Sequence, residues 1–425
     1  MTPSTHNLTR RNFGKLAGAT SMAVAAPQLL LAAKRRVVVV GGGFGGATAA
    51  KYLKRFDSSL EVTLIEPKRT YHTCPFSNLV LGNLKGFGEL AQHYKTLEHK
   101  YGIRVIHARA ARVKPGVVLL EDGVKLPFER AVVAPGIDFR FDKMAGYGEF
   151  AVEAMPHAWQ AGEQTSRLRQ QLAAMPEGGT VIICPPENPY RCPPGPYERA
   201  SLIAHDLRHH NPKAKILILD SKEQFSKQQL FMDGWQQHYG EMIEWRQGSA
   251  GGRPLELDVR GMRVRTEFGW EYGDVINFIP AQQAGKVVRI SGLADESGWC
   301  PVHAETFESR HLPNVHLLGD ASLAGAMPKS GFAANSQAKV TAATVVAHLR
   351  QESPVPPSYL NTCYSFVTPG HAISVAGVYR VEDSEIVSVK GAGGVSPNDA
   401  PESLRAREAA YAQSWYENIT TDVFG

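Results

Sequence analysis

The sequence predicts an α/β protein that contains two βαβ units and a smaller C-terminal region. A run of valines precedes a glycine-rich turn near residue 41, and a second strand–helix–strand pattern begins near residue 179. Prolines near residue 355 separate the C-terminal region from the rest. Short β-branched runs followed by helical stretches are typical of buried parallel strands. The length of 425 residues is enough for several such units.

Composition and charge exclude several classes of protein. Hydrophobic residues make up 43% and charged residues 20%, so the chain is neither disordered nor fibrous. The formal net charge is +5, and it falls to +2 without residues 1–33, which is no basis for nucleic-acid binding. Five cysteines, an odd number without a CxxC pair, exclude a fully paired disulfide framework. They also show no metal spacing, so we expect no metal site.

Residues 1–33 have the pattern of a removable export signal. The twin arginine Arg10–Arg11 precedes a mildly apolar, alanine-rich run that ends at Ala33. An N-terminal membrane anchor is the alternative, but alanine, glycine, serine and threonine make this run a poor spanning helix. We therefore expect twin-arginine (Tat) export and a periplasmic location, where disulfides can persist.

The first βαβ unit predicts a dinucleotide site. Its parts in order are strand 36–40, the GxGxxG glycines Gly41, Gly43 and Gly46, helix 47–56, strand 61–65 and the terminal acid Glu66. The glycines let the backbone approach a pyrophosphate at the helix N-terminus, and the acid can accept ribose hydroxyls. A free 2′-hydroxyl fits FAD or NAD rather than NADP. A merely structural tight turn is the alternative.

A strand near the other end of the chain points to a flavin. Residues 312–320 read as a strand that ends in Gly319-Asp320, and a helix is predicted over 333–350. Here the chain resembles the two-dinucleotide-domain flavoproteins, in which such an aspartate binds the ribityl chain. The resemblance implies FAD and two Rossmann-like domains in a glutathione-reductase-like fold. Residues 131–136 resemble the central strand and turn of that family, and an ordinary turn role for Asp320 is the alternative.

The second βαβ unit lacks the glycines that a nucleotide requires. Strand 180–183, helix 197–209 and strand 215–219 with Asp220 at its end repeat the frame. The connection over 184–196 is rich in proline, which removes backbone N–H donors and fixes φ. NAD(P)H is therefore not expected as the electron donor.

The same connection offers a thiol. Cys192 lies between Arg191 and the predicted start of a helix, two features that lower a thiol pKa and favour thiolate. The alternative is that Cys192 is a small buried apolar residue.

Five stretches resemble the flavoprotein subunit of flavocytochrome c sulfide dehydrogenase. They are residues 71–78, 191–199, 327–331, 359–365 and 414–425. The resemblance implies FAD joined to Cys74 as an 8α-S-cysteinyl thioether, a redox disulfide between Cys192 and Cys363, and Glu198 nearby as a proton acceptor. It also implies oxidation of hydrosulfide to sulfur or polysulfide, and a heterodimer with a c-type cytochrome subunit. For Glu198, a solvated residue in the first turn of a helix is the alternative.

The remaining cysteines and the C-terminus complete the prediction. Cys184 and Cys300 are expected to be structural. The C-terminal region is expected to cover the flavin or contact the partner, with a loop at 391–394 and a helix over 401–415. The expected domains are the signal 1–33, the FAD domain 34–155 with 286–350, the second Rossmann-like domain 156–285 without an NAD site, and the C-terminal domain 351–425.

Two other functions stay open. A sulfide:quinone reductase would need an apolar or amphipathic tail for the membrane, and residues 417–425 are polar and weakly acidic. A non-catalytic flavin electron-transfer subunit is the other alternative. The sequence has no Cys-x-x-Cys-His stretch, so a c-type haem would have to belong to another chain.

Overall fold

A computed structural model describes residues 35–425 of the protein. The predicted export signal lies outside the described residues. Residues 35–425 form one compact unit, and the predicted domain boundaries within it stay predictions.

Five parallel strands form the first sheet. In spatial order they are Val315–Leu317, Arg130–Val133, Arg36–Val40, Glu61–Ile65 and Arg104–Ile106. Both faces of the sheet are covered, which explains why its central strands are continuous apolar runs. The helices Phe44–Phe56 and Gly331–Leu349 pack together, and the Asn335 amide donates a hydrogen bond to the Thr48 hydroxyl at 3.0 Å. The predicted strands 36–40 and 61–65 are confirmed, and both helices begin two or three residues earlier than predicted.

Four parallel strands form the second sheet. In spatial order they are Ile243–Arg246, Lys215–Leu219, Thr180–Cys184 and Val275–Phe278. The helix Gly195–His210 connects two of these strands, and it begins two residues before the predicted start. The helices Glu163–Ala173 and Gln228–Tyr239 belong to the same part of the chain. The predicted α/β class with two βαβ units is therefore confirmed.

Smaller elements surround the two sheets. Two of them are three-stranded antiparallel sheets. The first has the strands Ala110–Lys114, Val117–Leu120 and Lys125–Pro127. The second has the strands Glu256–Asp258, Arg263–Thr266 and Gly269–Tyr272. The two-stranded pairs are Thr70–His72 with Ala91–His93, Ile137–Phe139 with Gln282–Ala284, and Cys300–Pro301 with Ser322–Leu323. Short helices are Ser77–Leu81, Lys95–Tyr101 and Lys286–Ile290. The pair at 137–139 and 282–284 lies where the chain leaves the first sheet and returns to it.

The C-terminal region is an antiparallel sheet and one long helix. The strands are Ser358–Thr368, His371–Glu382 and Glu385–Val395, and the helix is Glu402–Phe424. The predicted loop at 391–394 is wrong, because these residues lie in the third strand. Gly393 pairs with Gly377, and a Cβ at Gly393 would lie 2.5 Å from the Ala376 carbonyl oxygen. Close approach of two strands, rather than a turn, therefore explains this glycine.

The last helix continues nine residues past its predicted end at 415. Ile419, Val423 and Phe424 are buried on one side of it. This end of the helix therefore has an apolar face, although the sequence between these residues is polar. Within residues 35–425, no helix is both long and apolar enough to cross a membrane.

Candidate functional site

A cavity of about 560 Å³ lies at the carboxyl ends of the first sheet's strands. This is the edge at which parallel α/β sheets bind ligands, and the volume is within the usual range for such sites. Five of the six residues predicted to bind cofactor line it, namely Gly41, Gly43, Glu66, Cys74 and Asp320.

The sixth predicted residue, Gly46, has a packing role. A Cβ on Gly46 would lie 1.8 Å from the Gly41 carbonyl oxygen, so only glycine lets the helix Phe44–Phe56 start this close to the turn. Gly41 has φ +96°, and a Cβ there would lie 2.3 Å from the Ala134 oxygen. The turn therefore brings bare backbone and a helix N-terminus to the cavity, as a pyrophosphate requires.

Glu66 is held at the cavity wall by backbone. Its Oε2 accepts a hydrogen bond from the Gly42 N–H at 2.8 Å, and its Oε1 accepts one from the Lys68 N–H at 2.9 Å. Each oxygen keeps a further lone pair, so the fixed carboxylate can still accept a ribose hydroxyl.

Asp320 carries an unsatisfied polar atom. Its buried Oδ1 has no hydrogen-bond partner among the described residues, and its Oδ2 lies 3.7 Å from Arg191 Nη1. Burial raises the pKa of this carboxyl, and the charges of Arg191 and Lys329 oppose the rise. A ribityl hydroxyl would supply the donor that this buried oxygen lacks. The residues present therefore fit FAD.

Cys74 lies on the same cavity wall as a partly exposed free thiol. Its Sγ is 3.8 Å from the Trp159 carbonyl oxygen. The cavity residues on either side include Tyr71 and Pro75, so the thiol borders the space that a cofactor would fill.

The structure brings Cys192 and Cys363 close enough for their charges to interact, and Arg191, the residue before Cys192, lines the cavity. Both are partly exposed free thiols, and a negative charge on Cys363 raises the pKa of Cys192. Cys192 has φ +56°, and its N–H donates to the Lys329 carbonyl oxygen at 2.8 Å. Cys363 lies in the strand Ser358–Thr368, with its Sγ 3.7 Å from Asn361 Oδ1. The disulfide between them stays a prediction.

The predicted low pKa of the Cys192 thiol is wrong. Burial raises this pKa, as do negative charges on Cys363 and Glu198, and Arg191 offsets only part of the rise. The Arg191 guanidinium is engaged elsewhere, because it donates to the Trp159 carbonyl oxygen and faces Asp320. Although Arg191 precedes Cys192 in the sequence, its guanidinium points to these other groups.

Glu198 lies beside the two cysteines. Its Oε2 accepts a hydrogen bond from Asn78 Nδ2 at 2.8 Å, and its Oε1 accepts one from the Phe366 N–H at 2.9 Å. Burial raises the pKa of this carboxyl. The alternative of a solvated residue does not hold, since protein groups occupy both oxygens.

Lys227 is a site residue that the sequence did not indicate. It is 8% exposed, and its Nζ donates to Ser365 Oγ at 2.8 Å and to the Ile373 carbonyl oxygen at 3.2 Å. Burial lowers its pKa to about 8, against the opposing charges of Cys363, Glu198 and Cys192. No motif surrounds this lysine, and only the fold brings it to the cysteines.

Lys329 is a second cation that the sequence left without a role. Its Nζ donates to the carbonyl oxygens of Asp320 at 2.9 Å and Ser322 at 2.8 Å, and it lies 3.9 Å from the centre of a Trp299 ring. Burial lowers its pKa to about 8. Its place in the stretch 327–331, which carried part of the resemblance, was the available signal.

The two cysteines expected to be structural are buried. Cys184 and Cys300 are both 0% exposed, and burial raises the pKa of each thiol. Cys184 packs in an apolar cluster at the end of the strand Thr180–Cys184, so its expected burial is confirmed and its structural role stays a prediction.

Three family models match the chain. Residues 165–280 match the central region of the flavoprotein chain of sulfide dehydrogenase (flavocytochrome c), and residues 355–424 match the flavin-binding region of flavocytochrome c sulphide dehydrogenase. Residues 35–177 match the pyridine nucleotide-disulphide oxidoreductases.

Relatives and solved structures agree with these matches. A sulfide dehydrogenase (flavocytochrome c) flavoprotein chain from Chlorobaculum thiosulfatiphilum is 67% identical to this chain over 37 residues. The matched stretch is 9% of this chain and 77% of that sequence. It is 23% identical to the mitochondrial sulfide:quinone oxidoreductase of Mus musculus, over 65% of this chain and 63% of the mouse protein. The structure of the sulfide:quinone oxidoreductase from Aquifex aeolicus matches with a TM-score of 0.71 at 17% identity, over 92% of both chains. These matches confirm the predicted fold with two Rossmann-like units.

Proposed function

Because this chain belongs to the family of flavocytochrome c sulfide dehydrogenase flavoprotein chains, we propose that it oxidises sulfide through a redox disulfide and FAD. The observation that carries the proposal is a cluster of four side chains whose charges interact, Cys192, Cys363, Glu198 and Lys227, and Arg191, next to Cys192 in the chain, lies on the cavity wall. Hydrosulfide, the substrate, is oxidised to sulfur or polysulfide.

The cavity supplies the contacts that FAD requires. The turn that begins at Gly41 would hold the pyrophosphate, Glu66 would hold the ribose, and the free Oδ1 of Asp320 would accept from the ribityl chain. Cys74 would form the thioether to the flavin, since its thiol borders the same space. When bound, FAD accepts two electrons at once and releases them singly.

The two cysteines carry the sulfur chemistry. Hydrosulfide attacks one sulfur of the Cys192–Cys363 disulfide, the S–S bond breaks, and the products are a persulfide on one cysteine and a thiolate on the other. A second hydrosulfide attacks the outer sulfur of the persulfide. The products are inorganic HSS⁻, the shortest polysulfide, and a second cysteine thiolate. The two thiolates can then form the disulfide again, for which bound FAD would supply the two-electron acceptor.

Two charged residues near the cysteines assist these steps: Lys227 stabilises negative charge, and Glu198 accepts a proton. Lys227 lies close enough to both cysteines for its cation to stabilise the thiolate released by the first attack. Glu198, whose pKa is raised by burial, takes up a proton when hydrosulfide or the persulfide reacts. Raised carboxyl pKa values of this kind suit proton transfer near neutral pH.

The electrons leave to a separate c-type cytochrome subunit in a stable heterodimer. The sequence has no Cys-x-x-Cys-His stretch for a haem of its own, and the family supplies a cytochrome partner. The twin arginine Arg10–Arg11 supports export to the periplasm, where such cytochromes work. A permanent interface of this type buries on the order of 2,000 Å² or more.

Purification from the native host tests the acceptor. We expect the chain to elute with a cytochrome and to reduce it with sulfide far faster than it reduces a quinone analogue. Elution alone, with electron transfer to the quinone analogue as fast as to cytochrome c, would establish the sulfide:quinone reductase alternative.

Acid precipitation tests the covalent attachment. The yellow flavin should stay with the wild-type polypeptide and should appear in the supernatant of Cys74→Ala. Cys300→Ser is the matched control, because Cys300 is buried and lies outside the cavity lining. Free FAD in the wild-type supernatant would disprove the attachment.

A further inference from the structure

Three potential metal ligands meet at the outer edge of the first sheet. Glu308, His316 and His348 each offer one ligand atom, and these atoms lie within 4.8 Å of one another. His316 is in the edge strand Val315–Leu317, Glu308 forms a β-bridge with it, and His348 is in the last turn of the helix Gly331–Leu349. None of them lines the cavity.

His316 has a ring nitrogen that no protein group satisfies. The side chain is 0% exposed, and its Nδ1 donates a hydrogen bond to the Thr306 carbonyl oxygen at 2.9 Å. This bond fixes the tautomer, so Nε2 carries a lone pair, and this buried atom has no partner among the described residues. Metal-binding histidines are typically oriented in this way, by a carbonyl or carboxylate on the other nitrogen.

The other two side chains also keep a free ligand atom. The Nδ1 of His348 is buried without a partner, and the two imidazole rings are 6.3 Å apart between centres. Glu308 Oε1 accepts from the Asn314 N–H at 2.5 Å and lies 3.5 Å from Arg130 Nη1. No hydrogen bond within residues 35–425 engages its Oε2. Each of the three side chains thus keeps an atom without a hydrogen-bond partner that could bind a metal ion.

We propose that Glu308, His316 and His348 bind one Zn²⁺ ion. Two imidazoles and a carboxylate are a common zinc ligand set, and water would complete a tetrahedral coordination. Burial lowers the pKa of both histidines, so both are neutral and need lose no proton to bind a metal near pH 7. The position of His348 at a helix C-terminus favours a cation, whereas the positive charge of Arg130 opposes one.

The ion would join an edge strand to the far end of a helix. The helix Gly331–Leu349 has 19 residues and begins at the cavity, so His348 in its last turn lies about 25 Å along the axis from that end. A ligand that binds only the folded state raises stability. The zinc therefore has a structural role that is separate from sulfide oxidation, and it can be tested without measuring activity.

Equilibrium dialysis of the tag-free flavin-containing protein against Zn²⁺, after treatment with a chelator, tests the site. We expect one Zn²⁺ per chain and a rise in the melting temperature. His348→Ala and Glu308→Gln should each weaken Zn²⁺ binding by about 100-fold or more, since loss of an outer-shell partner alone can cost that much. Both residues are partly exposed, so these variants should fold even if His316→Ala does not.

A matched control distinguishes this site from adventitious binding. His205 and His209 lie four residues apart on the helix Gly195–His210, with ring centres 5.1 Å apart, and His209 is exposed. His209→Ala should leave the zinc stoichiometry and affinity unchanged. The proposal is overturned if wild type binds no Zn²⁺, or if His209→Ala loses it while His348→Ala keeps it. Co²⁺ in place of Zn²⁺ should give tetrahedral absorption bands that His348→Ala lacks.

Discussion

The two βαβ units share a frame and differ in the connection that follows their first strand. In the first unit, the strand Arg36–Val40 is followed by glycines whose backbone lines the cavity without a side chain in between. In the second, the strand Thr180–Cys184 leads into residues 185–194, where prolines remove N–H donors. The same edge of a parallel sheet thus holds a phosphate site in one case and a rigid loop that carries a thiol in the other.

The second loop reaches into the first unit. The Arg191 guanidinium lies 3.7 Å from Asp320 on the wall of the first unit's cavity, and the Cys192 N–H donates to the Lys329 carbonyl oxygen. Cys192 is in the left-handed region at φ +56°, a conformation that costs a non-glycine residue about 1–3 kcal/mol and clusters at functional sites. The comparison teaches that the same connection can cradle a phosphate when it is rich in glycine, or position a cysteine near the other unit's cavity when it is rich in proline.

The largest expected effect comes from the loop cysteine and its partner. Cys192→Ser and Cys363→Ser should each slow flavin reduction by sulfide at least about a thousand-fold, because a hydroxyl cannot take part in disulfide exchange. Stopped-flow absorbance measures the rate, and the flavin should stay bound. Near wild-type turnover in either variant would break the comparison, since the second unit would then not supply the reactive thiol.

A smaller effect is expected at Lys227. With its pKa lowered to about 8, this side chain is cationic below that pH and neutral above it. At saturating sulfide, the reduction rate of wild type should therefore fall as the pH rises through about 8. Lys227→Met should be slower by roughly 100-fold, as for loss of one group that stabilises developing negative charge, and should lack this fall.

Lys227→Arg is the control for the charge itself. It keeps a cation that does not titrate in this range, so the fall near pH 8 should disappear while much of the rate at lower pH is kept. A fall that persists unchanged in Lys227→Arg would assign the titration to another group.

The smallest effect is expected at the cysteine that ends the second unit's first strand. Cys184→Ser places a hydroxyl in an apolar cluster and should lower the free energy of unfolding by about 1–2 kcal/mol. Urea denaturation measures this change, and the sulfide-dependent rate should be unaffected. A large loss of rate with unchanged stability would give Cys184 a role in the chemistry.

The sequence predicted what depends on local patterns. The first two strands of each βαβ unit were predicted from β-branched runs. The positions of Gly41, Glu66 and Asp320 at the cavity were predicted from their places at strand ends. Residues far apart in the chain were harder. Lys227 reaches the cysteines only through packing of its helix against the C-terminal sheet, which no local pattern records.

Wrong expectations also came from ignoring tertiary packing. The glycines at 391–394 suggested a loop, yet a neighbouring strand rather than a turn demands small residues there. Arg191 was expected to lower the thiol pKa because it is adjacent in sequence, yet its guanidinium faces Asp320. Side-chain direction and burial, which decide such effects, depend on the whole fold.

Anaerobic addition of sulfide or NADH to the purified protein tests the central claim most directly. The claim is that the second unit supplies one cysteine of a redox disulfide in place of a nicotinamide site. Sulfide should bleach the visible absorbance of the bound flavin within the mixing experiment, and NADH at the same concentration should leave it unchanged. Bleaching by NADH, with no response to sulfide, would contradict the account.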